Sequence, residues 1–441
     1  MGENLAEKVK IIGGGLAGVE AAWQLANKGF EVELYEMKPV KFSPAHKSEL
    51  LGELVCSNSL KAKRFESAAG LLKTEMRFFG SLCMECADLS EVPAGGALAV
   101  DRDKFSQLIT EKIENHKNIT LIHEEVTEIP EGNVIIAAGP LASDALSEKI
   151  SELCGDGLHF FDAAAPIVSR ESIDMESAFT ASRYERGGED DYINCPMNKA
   201  EYEAFYEALI TAESAEVHSF DKRKDVYEGC MPIEVMASRG KDTMRFGPMK
   251  PVGLVDPRTG HRPWAVLQLR KENSKGTMLN LVGFQTNLKF GEQKRVFSMI
   301  PALKNAEFYR YGVMHRNTFI DSPRLLNASF SFRNRENLFF AGQITGVEGY
   351  MESAASGIMA GLNMARMLSG KEQLVLPETS MIGALSRYIS DETVKNFQPM
   401  GANFGVLPPI EPKIRDKSQR YMALSQRAAD DLNEYAERMG V

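Results

Sequence analysis

Nowhere in its 441 residues does the chain offer 18 consecutive apolar residues free of charge, so no transmembrane helix is expected. Cysteine is scarce as well. Cys56, Cys83, Cys86, Cys154, Cys195 and Cys230 show no framework spacing, which argues against a disulfide scaffold and reads as reduced thiols in a cytoplasmic protein. The Cys83-x-x-Cys86 pair has no second ligand pair, whereas zinc needs about four ligands; the two read as structural or incidental. The seven histidines form no HExxH or other cluster, and neither a Walker loop nor a G-x-S-x-G elbow occurs. Metal, nucleotide and serine hydrolysis are therefore unsupported. There is no internal repeat, low-complexity run or disordered tail. Glu3 and Glu7 lead straight into the first strand and argue against a signal peptide.

Against these absences stands a glycine-rich corner. Residues 9–12 form a short apolar strand, Gly13, Gly14 and Gly15 turn it, and Leu16, Ala17 and Gly18 open a helix-forming run over 19–28. Gly13 permits the tight turn, Gly15 lets the backbone approach a pyrophosphate, and Gly18 lets helix and strand pack closely. The freed amides and the positive helix end then face the anion. A second strand over 30–35 ends at Glu36, placed to accept hydrogen bonds from an adenosine ribose.

An amphipathic helix over 103–116 follows, with Phe105, Leu108, Ile109 and Ile113 on one face. Strands at 119–123 and 134–139 come next, the second closing on Gly139 where a cofactor can come close. A helix is also expected over 71–84. From about 160 to 318 the alternation lapses, with a helix at 205–215 and strands at 265–269 and 278–284. It resumes with a strand over 338–343, a helix over 352–368 and a last helix over 417–439. The expected architecture is α/β: a Rossmann-like dinucleotide domain over 1–159, a long inserted α/β domain over 160–318, and a closing part over 319–441. The closing part carries Gly342, Gln343, Gly346, Gly349, Tyr350 and Glu352 ahead of a second helix of small residues. A nicotinamide-only fold does not need this element, so it tilts the choice toward FAD.

The net charge is −10, yet residues 222–275 hold 12 Lys/Arg and 6 Asp/Glu, a segment of +6 in a remainder of −16. Such a segment is a candidate anion surface, RNA phosphate included. Arg245, Lys250, Arg258, Arg262 and Arg270 are its candidate RNA-binding cations, chosen on charge. Trp264 and Phe284 read equally well as base-stacking or core aromatics. Cys230 sits in a turn on this segment, where cations favour thiolate, and Cys56 sits in a polar stretch. Either can add to an electron-poor ring carbon or move a proton.

These features together resemble the TrmFO family over nearly the whole chain. The resemblance is strongest in 11–20, in Glu53-Leu54-Val55-Cys56-Ser57-Asn58-Ser59 and in Gly229-Cys230-Met231-Pro232-Ile233-Glu234. It continues through 245–254, 268–270, 282–286 and Ala341-Gly342-Gln343. The related MnmG (GidA) flavoproteins share the closing segment and general fold but lack the Cys56 context. The resemblance implies methylation at C5 of uridine 54 in the tRNA T-arm. The carbon would come from 5,10-methylenetetrahydrofolate and the electrons from NADPH or NADH through FAD. Cys230 is then the choice for the nucleophile at C6 and Cys56 for the base at C5, roles that can be exchanged. Tyr350 would flank the flavin, and Glu352, two residues on, is a further candidate for binding the cofactor. Neither a membrane nor DNA is an expected partner, and the oligomeric state stays open. The alternatives are a GidA-like enzyme of wobble-uridine modification, a small-molecule FAD oxidoreductase, and a noncatalytic RNA- or nucleotide-binding protein.

Overall fold

The computed structural model describes residues 8–43, 46–55, 58–92, 96–155, 158–161, 165–181, 183–185, 192–215, 232–271, 276–312, 317–394 and 397–441. The chain divides into two compact units, Met1–His159 with Thr318–Val441, and Phe160–Asn317. The first unit opens with β1 (Val9–Ile12), α1 (Leu16–Asn27), β2 (Val32–Glu36), β3 (Ser59–Ala62), α2 (Ala68–Phe78) and α3 (Leu82–Leu89). It goes on through β4 (Glu91–Val92), β5 (Ala97–Val100), α4 (Arg102–Glu114), β6 (Ile119–His123), β7 (Asn133–Ile136) and α5 (Asp144–Cys154). Strand β8 (Leu158–Phe161) leads out of it. The second unit holds β9 (Ile167–Ser169), β10 (Phe179–Thr180), β11 (Tyr192–Met197), α6 (Lys199–Ile210), α7 (Ile233–Ser238) and α8 (Thr243–Phe246). It ends with β12 (Ala265–Lys271), β13 (Met278–Leu281), α9 (Phe290–Phe297) and β14 (Phe308–Arg310). The chain returns through β15 (Asn317–Ile320) to α10 (Ser322–Leu325), β16 (Ser331–Phe332), β17 (Arg335–Phe340), α11 (Tyr350–Leu368), α12 (Met381–Tyr388) and α13 (Lys417–Met439).

The main sheet of the first unit runs β16-β17-β7-β1-β2-β6, parallel throughout except at the β16 edge. Its central strands are buried, with every residue of β7 inside, as expected where both faces of a parallel sheet are covered. Helix α1 packs along α11 at very short range. A Cβ added to Gly357 would lie 2.1 Å from the Ala17 carbonyl oxygen, and one on Gly361 would lie 2.7 Å from that of Ala21. Glycines four apart share a helix face, so small residues in the closing segment serve helix contact as well as any ligand. The second unit is built on a different plan, an antiparallel sheet in the order β10-β11-β12-β13-β9-β14.

Two helices differ from the sequence expectation. The single helix read over 71–84 is two, α2 and α3. Gly80, at φ +68°, ends the first, and Ser81 caps the second by accepting from Met84 N–H. The helix read over 205–215 starts earlier, at Lys199, behind a capping box in which Asn198 and Glu201 serve each other's amides; it stops at Ile210.

Buried carboxylates from neighbouring helices cap two helix starts. Glu20 of α1 accepts from the Ser81 hydroxyl, Leu82 N–H at 3.2 Å and Cys83 N–H at 2.9 Å, and burial pushes it up to about 7. Glu75 of α2 accepts from Met381 N–H at 2.7 Å and Ile382 N–H at 2.8 Å, and burial pushes it from 4.5 up to about 8. A carboxyl raised in the fold keeps a proton that the unfolded chain releases. Its contribution therefore favours the fold at low pH and fades as pH climbs from 4.5 toward 8. Glu75→Gln is expected to flatten that decline. Glu75→Ala leaves two amides without an acceptor and should cost about 1–3 kcal/mol at low pH, a cost that shrinks toward pH 8 because the alanine also lacks the titrating carboxyl. Urea unfolding of both variants at about pH 5 and pH 8 checks the pair.

The four cysteines seen within the described residues, Cys83, Cys86, Cys154 and Cys195, are free and buried. Burial raises each thiol: Cys83 well above its ordinary value, Cys86 and Cys154 to about 12, and Cys195 higher still. Among the described residues no helix is long and apolar enough to cross a membrane.

Candidate functional site

Where β1, β2, β7 and β17 end, a cleft opens in the first unit. Gly13, Gly14, Gly15, Leu16, Ala17, Glu36, Gly139, Gly342, Gln343 and Tyr350 all line it. Residues from both ends of the sequence meet there because β7 pairs with β1 on one side and β17 on the other.

The glycines have distinct geometries. Gly13 holds φ +106°, and a Cβ there would come within 2.7 Å of the Ala137 carbonyl oxygen. A Cβ on Gly18 would lie 1.8 Å from the Gly13 carbonyl oxygen, so Gly18 faces the turn and not the cleft. Nothing lies within 4 Å of a Cβ built on Gly15. Gly15 is also the N-cap of α1, with no side-chain cap and no acidic residue in the first turn. The positive end of a 12-residue helix thus meets open space where an anion fits.

Glu36 is 7% exposed and ties the corner together, accepting from Gly14 N–H at 2.8 Å and Lys38 N–H at 3.0 Å. A carboxylate has about four acceptor positions, so these two bonds leave capacity for ribose hydroxyls. Several residues of the cleft carry no signal in the sequence pattern. Lys38 is buried, donates to the Leu50 carbonyl at 2.6 Å and stands 3.6 Å from Glu53 Oε2. Glu53 Oε1 in turn accepts from Lys47 N–H at 3.0 Å and Ser48 N–H at 3.2 Å. His46, joined to Ser43 at 2.6 Å, is held below its ordinary value by burial and then by the Lys38 charge. The polar loop before Cys56 is therefore fastened at the cleft by side-chain pairs far too irregular to show periodicity. Val55, the residue before Cys56, lines the cleft. Cys56 and Cys230 lie outside the described residues.

Glu352 is not among the residues that line the main cleft. It lines a small pocket shared with Lys61, Lys73 and Tyr350. Lys61 Nζ bonds it at 2.7 Å, and Ala402 N–H donates at 2.9 Å. Burial opposes the Glu352 charge, but Lys61 outweighs it and holds the carboxyl below its ordinary value. Lys61 is one of three non-glycine residues with positive φ among the described residues, at +64°. Burial brings neighbouring Lys73 down to about 8.

In the second unit the candidate cations separate. Lys250 and Arg262 are exposed and Arg270 is half-buried on β12. Arg258 is chelated by Asp256 at 2.6 and 2.9 Å and also donates to the Glu176 carbonyl. The Arg245 guanidinium lies 3.8 Å over the Trp264 ring, with bonds to Asp242 at 2.6 Å and the Trp264 carbonyl at 2.9 Å. The guanidinium groups of Arg245 and Arg258 are thus engaged within the unit. Phe284 is fully buried between Phe205 and Phe297, a core aromatic and not a stacking surface.

The Rossmann-like sheet, the glycine corner and the closing strand–helix unit define a GidA-type fold. A family model described as GIDA, Glucose inhibited division protein A, matches residues 8–372. A solved structure of Aquifex aeolicus GidA is similar at 17% identity and a TM-score of 0.49, over 99% of this chain and 77% of that one. Relatives from Acetivibrio thermocellus and Ligilactobacillus salivarius are 60% and 57% identical over 433 and 432 residues. Each comparison takes in 98% of this chain and 99% of the relative. Both relatives are named methylenetetrahydrofolate--tRNA-(uracil-5-)-methyltransferase TrmFO. The chain belongs to the TrmFO family.

Proposed function

We propose that this protein methylates C5 of uridine 54 in the T-arm of tRNA. It takes the carbon from 5,10-methylenetetrahydrofolate and electrons from NADPH or NADH through FAD, in the cytoplasm. The observation that carries this reading is 54–60% identity, over nearly the full length, to relatives that bear the methyltransferase name. FAD suits the cleft because the α1 N-terminus opens on it behind Gly15, where no side chain competes for the amides. When bound, FAD supplies the redox chemistry that takes the one-carbon unit from methylene to methyl, and the protein supplies placement.

Uracil C5 is a poor nucleophile until a thiolate adds at C6. Cys230 Sγ forms that C6–S bond, and the ring electron pair moves to C5, which then attacks the one-carbon unit. Cys56 removes the C5 proton as the bond between the carbon and its carrier breaks, which frees the carrier and leaves an exocyclic methylene on C5 with the C6–S bond intact. A hydride equivalent, its two electrons originating from NAD(P)H, adds to the methylene to make the methyl group, and the C6–S bond breaks to restore the ring and the thiolate. The base must leave the folded tRNA elbow before a thiol reaches it. Lys250, Arg262 and Arg270 are the cations left to hold phosphate, so binding should weaken as salt rises.

The test is the carbon source. Purified FAD-loaded protein given T-arm RNA and NADPH should transfer label from methylenetetrahydrofolate into ribothymidine and none from S-adenosylmethionine. Transfer from S-adenosylmethionine alone defeats the folate reading.

A further inference from the structure

We propose that Phe246 is a stacking platform for an unpaired base of the RNA; the inference rests on the tRNA reading above. Among the described residues Phe246 is the most exposed large hydrophobic side chain, at 83%. It ends the short helix α8, whose Met244 is buried in the core of the second unit, so the chain turns one side chain inward and the other out.

The backbone behind Phe246 is fixed. Arg245 is clamped by Asp242, by the Trp264 carbonyl and by the Trp264 ring, whose centroid also lies 5.4 Å from Lys199 Nζ. Phe246 N–H itself bonds the Asp242 carbonyl at 3.2 Å. On the other side Gly247 passes so close to Met236 that a Cβ would come 3.1 Å from its Sδ. An aromatic ring on a held backbone has little freedom left to lose when a partner stacks on it.

The surroundings favour a polyanion. Residues 232–271 hold eight Lys/Arg and three Asp/Glu. All three acids are already committed: Asp242 to Arg245, Asp256 to Arg258, and Glu234 to Thr286 and Asn287. Arg239, Lys250 and Arg262 are exposed in the same stretch. Cations tracking a backbone beside an aromatic face is the arrangement by which proteins hold unpaired nucleic acid, since every base offers a π-face. Arg245 thus acts by propping the aromatic residue next to it.

The experiment measures binding of fluorescent T-arm RNA to the full-length, FAD-loaded protein across a salt series. Phe246→Ala and Phe246→Leu are expected to weaken binding about 10-fold, while Phe246→Tyr and Phe246→Trp stay within about 2-fold of wild type. The slope of affinity against salt should be unchanged in all four, because stacking releases no counterions. Lys250→Ala should instead make the slope shallower. Wild-type affinity in Phe246→Ala overturns the inference while leaving the tRNA reading standing. So does an effect confined to the KM for methylenetetrahydrofolate, which would place the folate on this ring. If the wild-type protein binds no T-arm RNA, the tRNA reading falls and takes this inference with it.

Discussion

Cys230→Ala is expected to abolish covalent capture of a T-arm RNA carrying 5-fluorouracil and to cut methylation on the order of 1000-fold or more. The adduct accumulates on the intact enzyme because fluorine replaces the C5 proton that must leave, so the C6–S bond cannot be released. Removing the thiol that forms this bond removes the adduct itself. Cys56→Ala should do something different: capture survives and turnover stalls, since only the base at C5 is gone. The structure narrows the field of nucleophiles. Cys83, Cys86, Cys154 and Cys195 are buried, and burial raises every one of their thiols, which suits none of them to act as a thiolate. Cys56 and Cys230 remain, one following a cleft-lining valine and the other on the cationic segment. A denaturing gel separates the two outcomes. Capture lost in Cys56→Ala but kept in Cys230→Ala would exchange their roles.

The parts of the first unit that follow local rules were legible in the sequence. Strand β1, the glycine corner and helix α1 announce themselves through an apolar run, three spaced glycines and a helix-forming stretch. Helices α4, α11 and α13 were visible through 3.6-residue spacing of apolar residues, and α13 has the bounds read for it. Where the reading erred, a capping interaction decided the matter. The break between α2 and α3 is set by Gly80, Ser81 and a carboxylate from Glu20, 61 residues earlier in the chain. The start of α6 is set by a local signal, the capping box of Asn198 and Glu201. Lys38, His46 and Glu53 could not be found because their role comes from one another's positions in an irregular loop. Charge alone did not reveal the partners of Arg245 and Arg258, since a sequence does not say which arginines have acids and carbonyls in reach.

Gly15→Ala and Gly18→Ala should fail in opposite ways, although both alter the same glycine fingerprint. Gly15 has an ordinary φ of −74° and nothing within 4 Å of an added Cβ. Alanine there should leave stability within about 1 kcal/mol, the usual scale for a lost or poorer cap. Its methyl group would nevertheless stand at the helix end where a pyrophosphate draws on backbone amides. Loss of two charge-assisted bonds, about 1.5 kcal/mol each, corresponds to FAD binding about 100-fold weaker. Gly18 is the reverse case, with an added Cβ 1.8 Å from a backbone oxygen that cannot swing away. Gly18→Ala must push α1 off β1 and should cost about 3 kcal/mol or more, with lost cofactor as a consequence of lost structure. Thermal unfolding of the flavin-free proteins and FAD titration by fluorescence quenching distinguish the two. A Gly15→Ala protein that binds FAD as tightly as the wild type would mean that the pyrophosphate does not lie at the head of α1.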